Sequence, residues 1–305
     1  MKKILCLLLL TTNLLLGQRN VALLHVAASS STIADASDFE SSEIPFELAG
    51  GMIIVQAKID GKEGNFILDT GAPGIVLNAV NFEGANVCQG ASVGGSMAVG
   101  EVSVKNFQFG IIEKEKTLGH VLNVHHLEVA CGRDIMGLIG FDVLKNFELM
   151  FDFQNNKIYA FKSGRSKKLN GANPKFSIPF VMHGHVPVIL AKVGNKRVLL
   201  GLDSGAEVNL LDKRFFDKID EQFLANVHVE LLTGLDNSTQ DVIAADVLNT
   251  KVKGSDLSAM RYVFTDLSHL RRNFNAPLDG LLGVPFFKDK VISIDYKQRK
   301  LLVWE

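Results

Sequence analysis

The sequence has little that would hold a chain together covalently and little that would bind a polyanion. Only three of its 305 residues are cysteine, and no Cys-x-x-Cys spacing occurs, which argues against thiol redox chemistry and a zinc knuckle. The formal net charge is −1 and no basic stripe is present, so nothing indicates nucleic-acid binding. Because 47% of the residues are hydrophobic, we expect a globular protein with a substantial core.

Long hydrophobic runs are also scarce. The apolar run Ile4–Leu16 is short and contains three polar residues, so it does not predict a stable membrane span. Two lysines precede it, and this order predicts a secretory signal over residues 1–28, cleaved after Gly17 or after Ala27–Ala28. An uncleaved signal anchor is the alternative. We therefore expect an exported protein that is periplasmic, in the cell envelope or secreted.

The rest of the chain is patterned as strands separated by turns. Residues 29–43 are rich in Ser, Ala, Asp and Glu and predict a flexible leader. Apolar positions alternate over Ile53–Ile59, as expected for a half-buried strand. The break at residues 164–177 predicts a linker between a first lobe at 44–163 and a second lobe at 178–305.

The two predicted lobes resemble each other in sequence. Ala57–Asn78 aligns with Ala191–Asp212 at an offset of 134, and Ile135–Phe161 aligns with Leu278–Trp304 at an offset of 143. The difference, 143 − 134 = 9, is an insertion in the middle of the second lobe. Two related halves, each long enough to form a domain, predict two domains of similar fold.

Each lobe places an aspartate at the end of an apolar strand. The motifs are Asp69-Thr70-Gly71 and Asp203-Ser204-Gly205, and alanine follows each. Aspartate is unfavourable in strands and costly to bury alone, so this placement indicates that the two carboxylates meet. Carboxyl groups a few ångströms apart cannot both ionise and would share a proton. The glycines would allow tight turns beside them.

This arrangement resembles the retropepsin-like aspartic proteases. The resemblance rests on the two Asp-Thr/Ser-Gly-Ala motifs and on the Gly-Leu-Ile-Gly and Gly-Leu-Leu-Gly segments at 137–140 and 280–283, and it covers nearly all of residues 50–304. It implies an all-β fold of two β-barrel lobes with short helices, related by a pseudo-two-fold axis, with a catalytic cleft between them. It further implies an aspartic endopeptidase with a peptide or protein substrate and no cofactor.

The resemblance also assigns roles to residues. Asp69 and Asp203 would be the catalytic pair, in which one carboxylate takes a proton from a bound water while the other protonates the scissile carbonyl. Thr70 and Ser204 would cross-link the lobes beneath the pair. Gly71 and Gly205 would support the active-site loops.

A substrate flap would lie between the first catalytic loop and the end of the first lobe. The glycine-rich segment Val87–Glu101 is the candidate, and the residues proposed for it are Gly90, Gly94, Gly95 and Ser96. An ordinary surface turn is the alternative. Ala72 and Ala206 offer no hydroxyl to the carboxylates, so we expect an activity optimum less acidic than that of pepsin.

Other candidate sites have less support. His183 and His185 lie on one side of a predicted strand, but no acidic cluster at ligand spacing accompanies them, so we expect surface histidines and no metal. After signal removal, Cys88 and Cys131 could form a disulfide or remain thiols. Asp152 and Asp295 are expected to be structural carboxylates, since they lie in equivalent hairpins.

The alternative function is a peptide- or protein-binding module of the cell envelope that keeps the fold and has lost turnover. Pro73, Gly74, Glu207 and Asn209 favour it, because they are not the commonest family residues at their positions. Glu207 could bring a third carboxylate to the pair. A single chain carries both motifs, so a monomer suffices, although the lobes could also pair between two chains.

Overall fold

The computed structural model describes residues 3–4, 41–92, 95–164, 173–233, 239–253, 255–257, 259–268, 270–271, 278–288 and 290–304. Most of the predicted signal and leader therefore lie outside the described residues. Lys3–Ile4 forms a two-residue strand, β1, that pairs in parallel with Leu232 and Thr233. Among the described residues, no helix is long and apolar enough to cross a membrane.

The first lobe contains a closed six-stranded barrel. Its strands follow the order Met52–Ile59, Lys62–Leu68, Gly137–Ile139, Ile75–Asn78, Ile112–Leu122 and Gly95–Phe109, and the last of these pairs with the first. The strands of this lobe are β2 (Ser41–Ala49), β3 (Met52–Ile59), β4 (Lys62–Leu68), β5 (Ile75–Asn78), β6 (Ala85–Ser92), β7 (Gly95–Phe109), β8 (Ile112–Leu122), β9 (Gly137–Ile139), β10 (Phe147–Asp152) and β11 (Lys157–Lys162). Its helices are α1 (His125–Cys131) and α2 (Phe141–Leu144).

The second lobe repeats this strand order with one interruption. Its strands are β12 (Phe176–Pro179), β13 (Val181–His183), β14 (Val186–Val193), β15 (Lys196–Leu202), β16 (Leu210–Asp212), β17 (Leu224–Thr233), β18 (Thr239–Val247), β19 (Thr250–Val252), β20 (Ser255–Asp256), β21 (Met260–Thr265), β22 (Gly280–Leu282), β23 (Ile292–Asp295) and β24 (Lys300–Val303). Its described helices include α3 (Val284–Lys288) and two 3-10 helices, Lys213–Lys218 and Glu221–Phe223. The long β7 of the first lobe corresponds to β18 and β19 here, which are separate strands.

Strands from both halves form one continuous sheet that joins the lobes. β10 pairs with its counterpart β23, so that Glu148 lies opposite Asp295. Outside this pair, β2 adds to β11 and β12 adds to β24. The tripeptides Ile44-Pro45-Phe46 and Ile178-Pro179-Phe180 occupy matching positions in these two added strands. This repeat in the sequence marks the two strands as counterparts.

The ends of the lobes differ slightly from the sequence prediction. β2 begins at Ser41, so residues 41–43 lie in the sheet, where Ser41 pairs opposite Phe161. β12 begins at Phe176 and takes in the last residues of the predicted linker. Edge strands are added because the exposed edges of β11 and β24 present unpaired backbone groups.

The Gly-Leu-Ile-Gly and Gly-Leu-Leu-Gly segments at 137–140 and 280–283 pack directly behind the loops that follow Asp69 and Asp203. A Cβ on Gly140 would lie 2.4 Å from the carbonyl oxygen of Ala72, and a Cβ on Gly283 would lie 2.4 Å from that of Ala206. The same two carbonyls accept hydrogen bonds from the residues that follow the glycines. Phe141 N–H donates to the Ala72 carbonyl at 2.9 Å, and Val284 N–H donates to the Ala206 carbonyl at 2.8 Å. Only glycine permits this approach.

Candidate active site

Asp69 and Asp203 follow β4 and β15 and meet at the contact between the lobes. Both are fully buried, with no exposed surface. Each glycine of one loop lies against the aspartate of the other, because a Cβ on Gly71 would lie 2.6 Å from Asp203 Oδ1 and one on Gly205 would lie 2.4 Å from Asp69 Cγ. The structure therefore brings the two predicted catalytic carboxylates together.

A reciprocal set of hydrogen bonds ties the two loops beneath the carboxylates. The Thr70 N–H donates to Ser204 Oγ at 3.0 Å, and the Ser204 N–H donates to Thr70 Oγ1 at 2.9 Å. The hydroxyls then donate across the interface, Thr70 to the Leu202 carbonyl at 3.1 Å and Ser204 to the Leu68 carbonyl at 2.7 Å. The backbone of each lobe is thus fixed by the other lobe.

Burial and mutual charge set the protonation of the pair. Burial raises the pKa of Asp69 from 3.8 to about 6, against hydrogen bonds from Asp203 and the backbone of Gly71 and Ala72. Burial, followed by the negative charge of Asp69, raises the pKa of Asp203 well above its usual value. The Oδ1 atoms, here called the inner oxygens, accept hydrogen bonds from the backbone. Gly71 N–H donates to Asp69 at 2.8 Å, and Gly205 N–H donates to Asp203 at 2.9 Å. One proton shared by two carboxylates follows from this geometry.

The outer oxygens of the pair differ from the inner ones. Oδ2 of Asp69 and Oδ2 of Asp203 are buried and have no hydrogen-bond partner. A buried acceptor without a donor is costly, and each of these acceptors suits a donor such as a water molecule or a substrate hydroxyl. The Ala72 and Ala206 side chains supply no hydroxyl to these oxygens, as the sequence indicates.

Two ionisable residues of the second lobe contact the first lobe. They are His185, in the β13–β14 turn, and Glu207, four residues after Asp203. The His185 ring hydrogen-bonds to the backbone of Gly71, and burial lowers its pKa to about 4. His185 is therefore only partly exposed in its turn before Val186, because β13 and β14 carry this turn to the other lobe. Glu207 packs on the β2–β3 turn, where a Cβ on Gly51 would lie 2.2 Å from its Cγ.

Tyr296 is a further buried polar residue that the sequence did not single out. Its hydroxyl is buried with no hydrogen-bond partner, and its ring lies 5.7 Å from that of Phe141 and 6.4 Å from that of Phe180. Burial, with the charges of Asp69 and Asp203, raises its pKa. The only sequence signal was that a tyrosine stands where the first lobe has Phe153.

The other sequence predictions are placed as follows. Strands β6 and β7 form a hairpin that spans the predicted flap segment, with Ser92 opposite Gly95 and Gly90 opposite Met97. Gly94 lies outside the described residues. Ser96 pairs opposite Ala91 in the same hairpin. Pro73 and Gly74 precede β5, and the Pro73 carbonyl accepts from Asp142 N–H of α2 at 2.9 Å.

Two further residues singled out in the sequence, Asp295 and Cys131, are buried, while the side chain of Cys88 lies outside the described residues. Asp295 is buried and accepts hydrogen bonds from Ser163, Gly164 and Gln298, which is a structural role in its hairpin. Cys131 is a buried free thiol. Within the described parts of the chain, no three His, Cys, Asp or Glu side chains are grouped to hold a metal.

Comparison with known proteins gives a result at the level of fold. No protein-family model matches the chain, and no curated protein matches it in sequence. Among solved structures, the aspartic proteinase from Irpex lacteus is similar, with a TM-score of 0.55 and 13% identity over 87% of this chain and 97% of that one. The chain therefore has the two-lobed, all-β fold of an aspartic proteinase.

Proposed function

We propose that the protein is an aspartic endopeptidase whose catalytic residues are Asp69 and Asp203. The observation that carries the proposal is the burial of the two carboxylates against each other, each against the other loop's glycine, with both outer oxygens lacking a donor. A carboxylate pair kept this way costs folding free energy, and a structural role alone would not require it. The fold it shares with an aspartic proteinase agrees with this.

The proposed reaction needs only the pair and a water. One carboxylate takes a proton from water, the water oxygen bonds to the scissile carbonyl carbon, and the shared proton passes to the carbonyl oxygen. A proton then moves to the amide nitrogen as the carbon–nitrogen bond breaks. No covalent enzyme intermediate forms. The retropepsin-like organisation and the flap at Gly90, Gly94, Gly95 and Ser96 remain part of this proposal.

The test is cleavage of a mixed peptide library by the wild type, Asp69→Asn and Asp203→Asn, with and without pepstatin. We expect each substitution to lower kcat/KM about 100-fold or more, because each removes an acid–base group without changing its size. Asp217→Asn, on an exposed 3-10 helix, is the matched control and should retain activity. Unfolding curves of all four proteins show that each variant is folded.

The alternative is a binding module without turnover. If the folded wild type cleaves no peptide between about pH 3 and pH 8, a range around carboxyl titration, the endopeptidase proposal is wrong and the binding module is favoured. Unchanged cleavage in both variants would show that the pair is not catalytic. The pH scan also tests the predicted optimum, and a peak well below pH 4 would contradict the raised pKa of Asp69.

We also propose that the protein is exported. The predicted signal over residues 1–28 would deliver the enzyme to the periplasm, the cell envelope or the medium, where proteins and peptides are its substrates. A monomer suffices, because Asp69 and Asp203 belong to one chain. Fractionation of expressing cells, with mass determination of the mature N-terminus, measures both location and cleavage.

A further inference from the structure

One face of the second lobe is far more basic and more apolar than the matching face of the first. It is formed where β14 lies between β15 and β19, with β13 at its edge. We call it the basic face; it consists of Val181, Leu190, Lys192, Arg197, Leu199, Lys251 and Lys253. Its position on the outside of the barrel separates it from the buried carboxylate pair.

Three cations stand side by side across neighbouring strands of the basic face. Lys192 lies opposite Arg197 on β15 and opposite Lys251 on β19. Like charges directly opposite each other in a sheet are destabilising. In the described residues neither Lys192 nor Arg197 has an acidic group within 4 Å, whereas Lys251 pairs with Asp256 at 3.9 Å.

Apolar side chains lie beside this row. Leu190 is 59% exposed and faces the partly buried Leu199 across the β14–β15 ladder. Val181 on the edge strand is 51% exposed and lies opposite Val188, two residues from Leu190 on the same side of β14. Exposed apolar side chains in a group mark an interaction surface more often than isolated ones do.

The first lobe shows that the fold does not require this composition. Register and sequence offset place Glu47, Gln56, Lys58, Glu63, Asn65 and Gln108 at the six positions matching Val181, Leu190, Lys192, Arg197, Leu199 and Lys251. There the polar groups satisfy one another, since Lys58 pairs with Glu63 at 3.6 Å, Gln56 donates to Asn65, and Glu47 pairs with Arg133. The same sheet geometry therefore does not require a row of cations on this surface.

We propose that the basic face binds the surface of an anionic lipid bilayer. Its cationic row is complementary to acidic headgroups, and its exposed Leu190 and Val181 can enter the boundary between headgroups and acyl chains. A shallow cavity of about 200 Å³, lined by Leu190, Ala191, Lys192, Arg197, Lys251 and Lys253, gives a headgroup phosphate a place among the cations. An acidic protein would be complementary to the cations, but it would bury the adjoining exposed Leu190 and Val181 less well than a bilayer would.

The experiment measures co-sedimentation of the full chain with vesicles of phosphatidylcholine, with and without phosphatidylglycerol. We expect binding only to the anionic vesicles, and a decline as salt rises from about 0.1 to about 1 M, because the Debye length falls from about 10 to about 3 Å. Arg197→Glu/Lys251→Gln copies first-lobe residues onto the basic face. Each cation removed should weaken partitioning about fivefold, so this variant should bind about 25-fold more weakly or worse.

Three further variants make the test specific. Leu190→Gln should weaken binding without changing its salt dependence, whereas Lys62→Gln/Lys105→Glu, which changes the charge equally on the first lobe, should bind like the wild type. Glu63→Arg/Gln108→Lys builds a cationic row on the first lobe and should strengthen binding. All variants keep residues 1–40, so any contribution from Ile4–Leu16 is common to them.

Two results would overturn the proposal. One is anionic-vesicle binding that Arg197→Glu/Lys251→Gln leaves unchanged. The other is binding to soluble polyglutamate with none to anionic vesicles, which would identify an acidic polypeptide as the partner. Peptide cleavage is not read out in either experiment, so the result is independent of the proposed protease activity.

Discussion

The Ser204 hydroxyl serves two backbone groups of the opposite lobe at once. It accepts from the Thr70 N–H at 3.0 Å and donates to the Leu68 carbonyl at 2.7 Å, in a site with no exposure to water. Ser204→Ala would leave both groups buried without this partner. We expect the free energy of unfolding to fall by about 2 kcal/mol, as measured by urea denaturation.

The matched control for this prediction is Ser204→Thr. Threonine already occupies the equivalent position 70, where its hydroxyl makes the reciprocal bonds, so this variant should keep most of the wild-type stability. If Ser204→Ala proved as stable as the wild type, the hydrogen bonds between the loops would not hold the lobes together. Loss of stability in both variants would indicate a packing effect instead.

Single residues were predictable from the sequence only where a motif marked them. Asp69 and Asp203 stand in repeated motifs at the ends of apolar strands, which is why their meeting could be predicted. His185 and Tyr296 carry no such mark. Their placement depends on which turn of one lobe contacts the loops of the other, and this is set by packing between segments far apart in the chain.

At the scale of elements, the sheet that joins the lobes contains a buried polar cluster around Ser293. Ser293 on β23 donates to Glu148 on β10 at 2.6 Å and accepts from the indole N–H of Trp304 at 3.1 Å. Ser293→Ala should lower the free energy of unfolding by about 1–3 kcal/mol, because it removes a hydrogen-bond partner from each of two buried groups. Trp304 is the chain's one tryptophan, so its fluorescence reports on this sheet directly.

The measurement compares tryptophan fluorescence with far-UV circular dichroism during urea unfolding. The two should change together in the wild type and in Ser293→Ala, because β10 and β23 make the lobes one cooperative unit. Ser163→Ala is the control, since Asp295 keeps its bonds from Gly164 and Gln298, and it should cost less. A fluorescence change well before the circular dichroism change would show that the joining sheet opens separately.

Individual strands could be predicted from the sequence where apolar and polar residues alternate or where apolar residues form a continuous run. The strand predicted over Ile53–Ile59 lies within β3, Met52–Ile59. The start of β2 at Ser41 could not be read from Ser, Glu and Asp composition, because those residues enter the sheet through pairing with β11. Edge strands of this kind are stabilised by a tertiary partner, and local propensity does not show it.

At the scale of the whole molecule, the two lobes share a topology and differ in their surfaces. The all-β, two-lobed fold was predictable because both halves repeat the same strand order and glycine positions. The basic face was not, although its residues are visible in the sequence, since only the strand register places Lys192, Arg197 and Lys251 next to one another. The same register identifies their first-lobe counterparts as Lys58, Glu63 and Gln108, whose formal charges sum to zero.

The carboxylate pair also gives the whole molecule a dependence of stability on pH. Burial raises the pKa of Asp69 from 3.8 to about 6, and burial with the charge of Asp69 raises that of Asp203. A carboxyl group whose pKa is raised on folding holds its proton more tightly in the folded state. Its contribution to stability is therefore complete below about pH 4 and is lost as the pH rises through about 6.

Asp69→Asn should remove much of this dependence, because the amide has no proton to lose and leaves Asp203 without a charged neighbour. In urea denaturation at several pH values between about 4 and 7, the wild type should lose stability relative to the variant as the pH rises. The variant should be the more stable protein at the upper end. The surface substitution Asp217→Asn is the control, and it should follow the wild type. A constant difference between Asp69→Asn and wild type at every pH would mean that the pair does not share a proton in the folded protein.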